Sequence, residues 1–195
     1  MISKSMTASR PVSQADRLAA RIARRFTHLL TPFFILLASA FALPAAALEP
    51  DSAAPAFDLP GPNGPVKLSA YRGKLVYLDF WASWCAPCKR SFPWMNQIQA
   101  RYGAQGLQVL AVNLDAKHQD AADFLAATSA NFAIGFDPAG AVARSYGIKG
   151  MPSSILVGPD GRVLSMHAGF SDADKAELEN LISANVRRVA TQTLK

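Results

Sequence analysis

The reading of this chain turns on Leu75-Val76-Tyr77-Leu78-Asp79-Phe80-Trp81-Ala82-Ser83-Trp84-Cys85-Ala86-Pro87-Cys88. Leu75 to Phe80 is an almost unbroken apolar run, as expected of a strand covered on both faces. From Pro87 to Tyr102 the apolar residues fall at helical spacing, with Phe92, Met95, Ile98 and Tyr102 on one side. Cys85 and Cys88 therefore stand where a buried strand gives way to a helix. The first N–H groups of a helix are unpaired and its dipole favours negative charge, so a thiolate at Cys85 is stabilised. Pro87 suits the first turn, where its missing N–H costs nothing. Such positions lower a thiol pKa from ~8.5 into the range of roughly 3.5–7.5. Cys85 is the expected nucleophile. Cys88, deeper in the helix, is expected to resolve a mixed disulfide by attacking Cys85.

Two plainer readings of the pair compete. As a structural staple it is weak, because so short a loop is worth roughly 2 kcal/mol against ~4.7 for a loop of ~100 residues. As half a zinc site it needs two more ligands, and after the N-terminal stretch only His118 and His167 remain, without finger spacing. No metal site is expected. Asp79 interrupts the apolar strand, and alternation puts it on the face of Leu75, Tyr77 and Trp81. An isolated buried carboxylate must neutralise or find partners, so Asp79 is either a buried acid with a raised pKa or a residue at a wet strand end.

The charge balance excludes another class of function. The whole chain carries +6, but Met1 to Ala47 holds Lys4, Arg10, Arg17, Arg21, Arg24 and Arg25 against Asp16 alone. The rest keeps 14 basic and 13 acidic residues, too even a balance for a phosphate-binding surface, so no nucleic-acid partner is expected. Phe26 to Leu48 contains no Asp, Glu, Lys or Arg, and its densest part, Phe33 to Leu43, has the size of a signal-peptide apolar region. Ala45-Ala46-Ala47 supplies small residues for cleavage. Residues 1–47 are thus expected to be a signal peptide or, if retained, a membrane anchor, the chain's only contact with the membrane. Both place the remainder outside the cytoplasm, where disulfides persist.

Residues 48–55 read as a linker and 56–195 as one domain. Phe57 and Leu59 with Val66 and Leu68 suggest a short hairpin around Gly61-Pro62-Asn63-Gly64. Further along, strands are expected at Leu107 to Leu114, Phe132 to Phe136, Ser154 to Val157 and Arg162 to Met166. The last two are joined by Gly158-Pro159-Asp160-Gly161. Helices are expected at Gln119 to Thr128 and Ala139 to Tyr146. A final helix capped by Ser171 should bury Leu178, Leu181, Ile182, Asn185 or Val186, and Val189. That order makes an α/β sandwich with a mixed sheet. Pro93 should kink its helix. Trp81 reads equally as core or as an aromatic beside the cysteines, Met95 and Met166 as core or gap-fillers, His118 and His167 as surface residues, and Lys89 and Arg90 as a solvated helix face.

The stretch from Leu78 to Cys88, with Tyr146-Gly147-Ile148-Lys149-Gly150-Met151-Pro152-Ser153, Gly158 to Gly161 and Gly169, resembles the thioredoxin superfamily. Within it the chain is similar to the extracytoplasmic TlpA/ResA-like (redoxin) proteins, over Pro55 to about Val189. The resemblance implies a thioredoxin fold, a mixed central sheet flanked by helices, with an N-terminal β-hairpin and a central αβ insertion at Asp115 to Asp137. It implies a redox disulfide between Cys85 and Cys88. Pro152 matches the family's cis-proline, whereas residue chemistry alone leaves an ordinary trans proline equally open. Asp79 matches the buried Asp that would deprotonate Cys88 during resolution. Met151 and Pro152, with Trp84 at the rim, match substrate-contacting positions. The chain departs from its nearest relatives in having Asp79 where Asn is frequent, and Ser91 where a Glu is frequent three residues after the second Cys. The resemblance therefore does not extend to specialised haem-protein maturation.

The expected activity is an extracytoplasmic thiol-disulfide oxidoreductase without a cofactor, acting as a reductant on client proteins with disulfides or cysteine pairs. It would be recharged by a membrane thiol electron donor. Asp115 to Asp137 is too short for the helical subdomain of DsbA-like oxidants. The alternatives are a copper chaperone on the same fold, using Cys85 and Cys88 with His167 or a Met, and a thiol peroxidase. Copper-carrying relatives space their cysteines by three residues, not the two found here.

Overall fold

The computed structural model describes residues 48–193; the leader expected at 1–47 lies outside the described residues. β1 (Asp58–Leu59) and β2 (Val66–Lys67) form a small antiparallel hairpin, pairing Asp58 with Lys67 and Leu59 with Val66. Then come β3 (Leu75–Trp81), α1 (Ala86–Tyr102), β4 (Leu107–Asn113), α2 (His118–Ala127) and β5 (Ala133–Phe136). After α3 (Ala141–Ser145), β6 (Ser153–Val157) and β7 (Val163–Ala168) lead to α4 (Asp172–Thr193).

The main sheet has the order β5-β4-β3-β6-β7. β3 pairs parallel with β4 and β4 parallel with β5, whereas β6 runs antiparallel to both β3 and β7. The apolar run at Leu75 to Phe80 thus becomes the central strand, with every residue of β3 buried. Alternation then divides the core. Leu75, Tyr77 and Trp81 pack with Phe92, Met95 and Ile98 of α1, Phe124 of α2, and Leu178, Ile182 and Val186 of α4. Val76, Leu78 and Phe80 turn to the other face, which Leu59 and Val66 of the hairpin cover together with Tyr146. The hairpin therefore closes a sheet face that no long helix among the described residues covers.

α3 is only five residues long and is held from its N-terminal end. The buried Asp137 carboxylate accepts the N–H groups of Ala141 and Val142 at 2.9 Å and that of Ala143 at 3.1 Å. These are the unpaired donors that any helix start must satisfy. At α4, Ser171 directly precedes the helix, and its backbone N–H donates to Asp174 Oδ2 at 2.6 Å, as in one half of a capping box.

Several local expectations are corrected. Met166, expected in the core, is 42% exposed. It lies opposite Ile155 on edge strand β7, where alternation turns it away from the face holding His167. His167 is half-buried rather than a free surface residue, because its ring lies against α4. Among the described residues, no helix is long and apolar enough to cross a membrane.

Candidate redox site

The site is built where β3 ends. Cys85 N donates to Ala82 O at 3.1 Å, turning the chain so that Cys85 becomes the N-cap of α1. Its Sγ accepts the N–H of Cys88 at 3.3 Å, and Lys89 N reaches Cys85 O at the same distance. A sulfur thus occupies the place usually taken by a capping hydroxyl or carboxylate. No acidic residue stands in the first turn of α1 to compete for the positive end of the dipole. The two sulfurs are joined, with Sγ–Sγ 2.01 Å, and both cysteines are buried: Cys85 4% exposed and Cys88 0%. Attack from outside the protein therefore has access to Cys85 alone.

The loop before Cys85 is held by a residue that the sequence reading passed over. The buried Asp115, just past β4, accepts both the backbone N–H and the hydroxyl of Ser83 at 2.9 Å. Asn113 Nδ2 donates to the same carboxylate at 2.7 Å. A carboxylate with three donors needs no counter-ion, which explains an acid buried without a base beside it. The sequence signal was an Asn-x-Asp at the end of an apolar strand, next in the sheet to the strand that carries the cysteines.

Asp79 is 1% exposed, so the wet strand end is excluded. It faces Ala111 on β4 and Ser154 on β6, and its Oδ2 is buried without a hydrogen-bond partner. Burial pushes its carboxyl well above the usual carboxylate range. The Tyr77 hydroxyl is raised too, first by burial and then by the nearby Asp79. The side chain stands on the same sheet face as α1 and its cysteines. Ser91, where relatives frequently have a Glu, is buried and donates to Cys88 O at 3.0 Å, so it adds no second carboxyl.

The Met151–Pro152 bond is cis. Pro152 is buried, and its carbonyl accepts Gly169 N at 2.8 Å. Met151 is half-buried and packs on the cluster containing both cysteines. Trp84 projects from the site, 70% exposed, whereas Trp81 is core, with ring centroids 4.8 Å from Phe92 and 4.7 Å from Phe124. Lys89 and Arg90 are exposed, as expected. Among the described residues, no group of three or more His, Cys, Asp or Glu could hold a metal ion.

A central β3 that delivers a cysteine pair to the start of α1, in a five-strand sheet with this order of pairing, defines a thioredoxin-fold protein. The chain belongs to the Redoxin family, whose model matches residues 49–182. It is similar to a Chlorobium tepidum protein of known structure, provisionally named thiol:disulfide interchange protein DsbE. Identity is 56% with a TM-score of 0.71, covering 72% of this chain and 99% of that one. The exposed lipoprotein thioredoxin Etrx1 of Streptococcus pneumoniae is 30% identical with a TM-score of 0.58, over 66% of this chain and 99% of that one. The thiol-disulfide oxidoreductase ResA of Bacillus subtilis is 34% identical over 119 residues, 60% of this chain and 66% of its own length. The chain spans slightly under two thirds of the ResA proteins it matches.

Proposed function

We propose that this protein is an extracytoplasmic thiol-disulfide oxidoreductase that reduces disulfides in client proteins. The observation that carries the reading is the capping position of Cys85, whose Sγ accepts a helix N–H while its partner Cys88 is sealed beneath it. In the reduced protein the Cys85 thiolate attacks a client disulfide. A Cys85–client bond forms, the client's own S–S bond breaks, and one client sulfur leaves as thiolate. Asp79 takes the proton of Cys88, whose thiolate then attacks Cys85 Sγ, closing the internal disulfide and releasing the second client thiolate. Two electrons pass from the protein dithiol to the client, and the client thiolates take protons from water.

Trp84 offers an exposed apolar rim for the client, and Met151 with Pro152 forms the inner wall beside the sulfurs. The exchange runs between sulfurs alone and needs no cofactor. Two sequence features support the place and direction of action. The basic and then apolar stretch from Met1 to Ala47 suits export. One ten-residue helix, α2, lies between β4 and β5, in place of the helical subdomain of DsbA-like oxidants. A membrane dithiol donor would restore the reduced state.

The test is to express Cys88→Ser in the protein's own cell envelope and isolate mixed disulfides. The reading predicts client proteins held through Cys85, none with Cys85→Ser, and reduction of insulin disulfides by the wild type. Peroxide turnover that depends on Cys85 without disulfide exchange would replace it with a peroxidase.

A further inference from the structure

If the Cys88 thiolate released on recharging takes its proton from the reducing dithiol, the proton that Asp79 accepted must leave by another way, yet Asp79 is buried and its β4 neighbour is Ala111. The way out lies on the opposite side. Asp79 pairs in register with Ser154 on β6, and Ser154 pairs in register with His167 on β7. Facing partners in an antiparallel pair share one sheet face, with Cβ atoms roughly 4.5–5.5 Å apart. The three side chains therefore make a polar row running from the centre of the sheet to its edge.

A second row, Tyr77, Leu156 and Ser165, runs beside the first. Between the rows and Leu178, Leu181 and Ile182 of α4 lies a cavity of about 10 Å³. That is the lower limit for one water, and Tyr77, Ser154, Ser165 and His167 give it polar partners. The Ser154 and Tyr77 hydroxyls line the cavity together. His167 closes the row with its side chain 25% exposed. Its Nε2 is buried without a hydrogen-bond partner, and Asp174 Oδ2 of α4 stands 3.8 Å away. Two polar atoms left unpaired at the two ends of one row, Asp79 Oδ2 and His167 Nε2, are unusual in a packed core.

We propose that Ser154 and His167 are the proton outlet of Asp79, relaying its proton through the Ser154 hydroxyl and the cavity to the imidazole and so to solvent. The inference rests on the oxidoreductase reading given above. After Cys88 has given up its proton, Asp79 holds it; when the disulfide is reduced again, the leaving Cys88 thiolate takes a proton from the reducing dithiol, which frees the one on Asp79 to leave. The Ser154 hydroxyl, with a water in the cavity, passes one proton on as it receives one, and the His167 imidazole takes it up. His167 then releases it to bulk water, with Asp174 steadying the transient imidazolium. No electrons move and no bond other than O–H and N–H changes. The charged or titratable groups facing the row are Tyr77, Asp79, His167 and Asp174, with Cys88 on α1 once reduced.

The experiment follows repeated reduction of a disulfide peptide by the full protein at pH 7 in weak buffer, with a chemical reductant in excess. His167→Gln is expected to turn over roughly tenfold more slowly than wild type and to recover when free imidazole is added. Ser154→Ala is expected to be slowed as much with little recovery, since the break then lies inside the protein. Alkylation of Cys85 should be unchanged in both. Adding His167→Gln to Asp79→Asn should produce no further loss, because the outlet has nothing to drain. A His167→Gln protein as fast as wild type overturns the outlet, and so does one slowed without imidazole rescue and additively with Asp79→Asn. A wild-type protein that exchanges no disulfides overturns the oxidoreductase reading itself and takes the outlet with it.

Discussion

The backbone N–H of Cys88 points at the sulfur of Cys85 across 3.3 Å, so the helix donates a hydrogen bond to the atom that is to carry negative charge. A hydrogen bond to the charged form favours that form, and the helix dipole acts in the same sense. Cys88 itself lies in the interior, 0% exposed, with no such donor. Two cysteines three residues apart are thereby made chemically unequal.

The loop that sets this geometry hangs on Asp115. Asp115→Ala removes three hydrogen bonds and leaves unpaired donors on half-buried Ser83 and buried Asn113. A loss of ~2–3 kcal/mol in urea unfolding is expected, because unpaired buried donors cost about 1–3 kcal/mol each and part is recovered by relaxation. Client reduction should fall too, since Ser83 lies two residues before Cys85.

Asp79→Asn should stabilise the oxidised protein, and increasingly so with pH. The native carboxyl is raised, so above the usual carboxylate range the unfolded chain ionises while the folded one does not. Asp79 thus costs stability as pH climbs from the usual carboxylate range through its native pKa. Asn has no proton to lose. Melting of the two proteins should nearly coincide at pH 4 and separate progressively toward pH 8, with Asp79→Asn the higher. The same variant should resolve mixed disulfides more slowly.

Trp84→Ala is expected to raise KM for protein clients severalfold while leaving reduction of a small aromatic disulfide unchanged. An exposed indole can only act on partners large enough to reach it. Steady-state kinetics with insulin and with the small disulfide separate the two.

Asp137→Ala serves as a contrast, since it touches α3 and not the cysteines. Three N–H groups lose their acceptor, so a cost of ~1–2 kcal/mol is expected in thermal or urea unfolding. Cys85 alkylation should not change.

The parts of the fold that carry a strong local pattern were legible in the sequence. β3, buried throughout, follows from its apolar run, and α1 and α4 follow from apolar spacing. The Cys85–Cys88 disulfide was implied by the resemblance carried by Leu78 to Cys88, and the two sulfurs are joined. Non-local facts were less accessible. Nothing in the text of the chain shows that Asp115 reaches back 32 residues to Ser83, because that contact exists only once β3 and β4 lie side by side. The row from Asp79 to His167 needs the register of three strands. Met166 was misjudged because an apolar residue on an edge strand is not obliged to be covered.

The central claim is that α1 holds the Cys85 sulfur ionised. The most direct measurement is the rate of iodoacetamide alkylation of the fully reduced protein from pH 4 to pH 9, with Cys88→Ser isolating Cys85. The account predicts a thiolate titrating well below the ~8.5 of free cysteine, with alkylation already at its plateau near neutral pH. A Cys85 that titrates and reacts like free cysteine would contradict it.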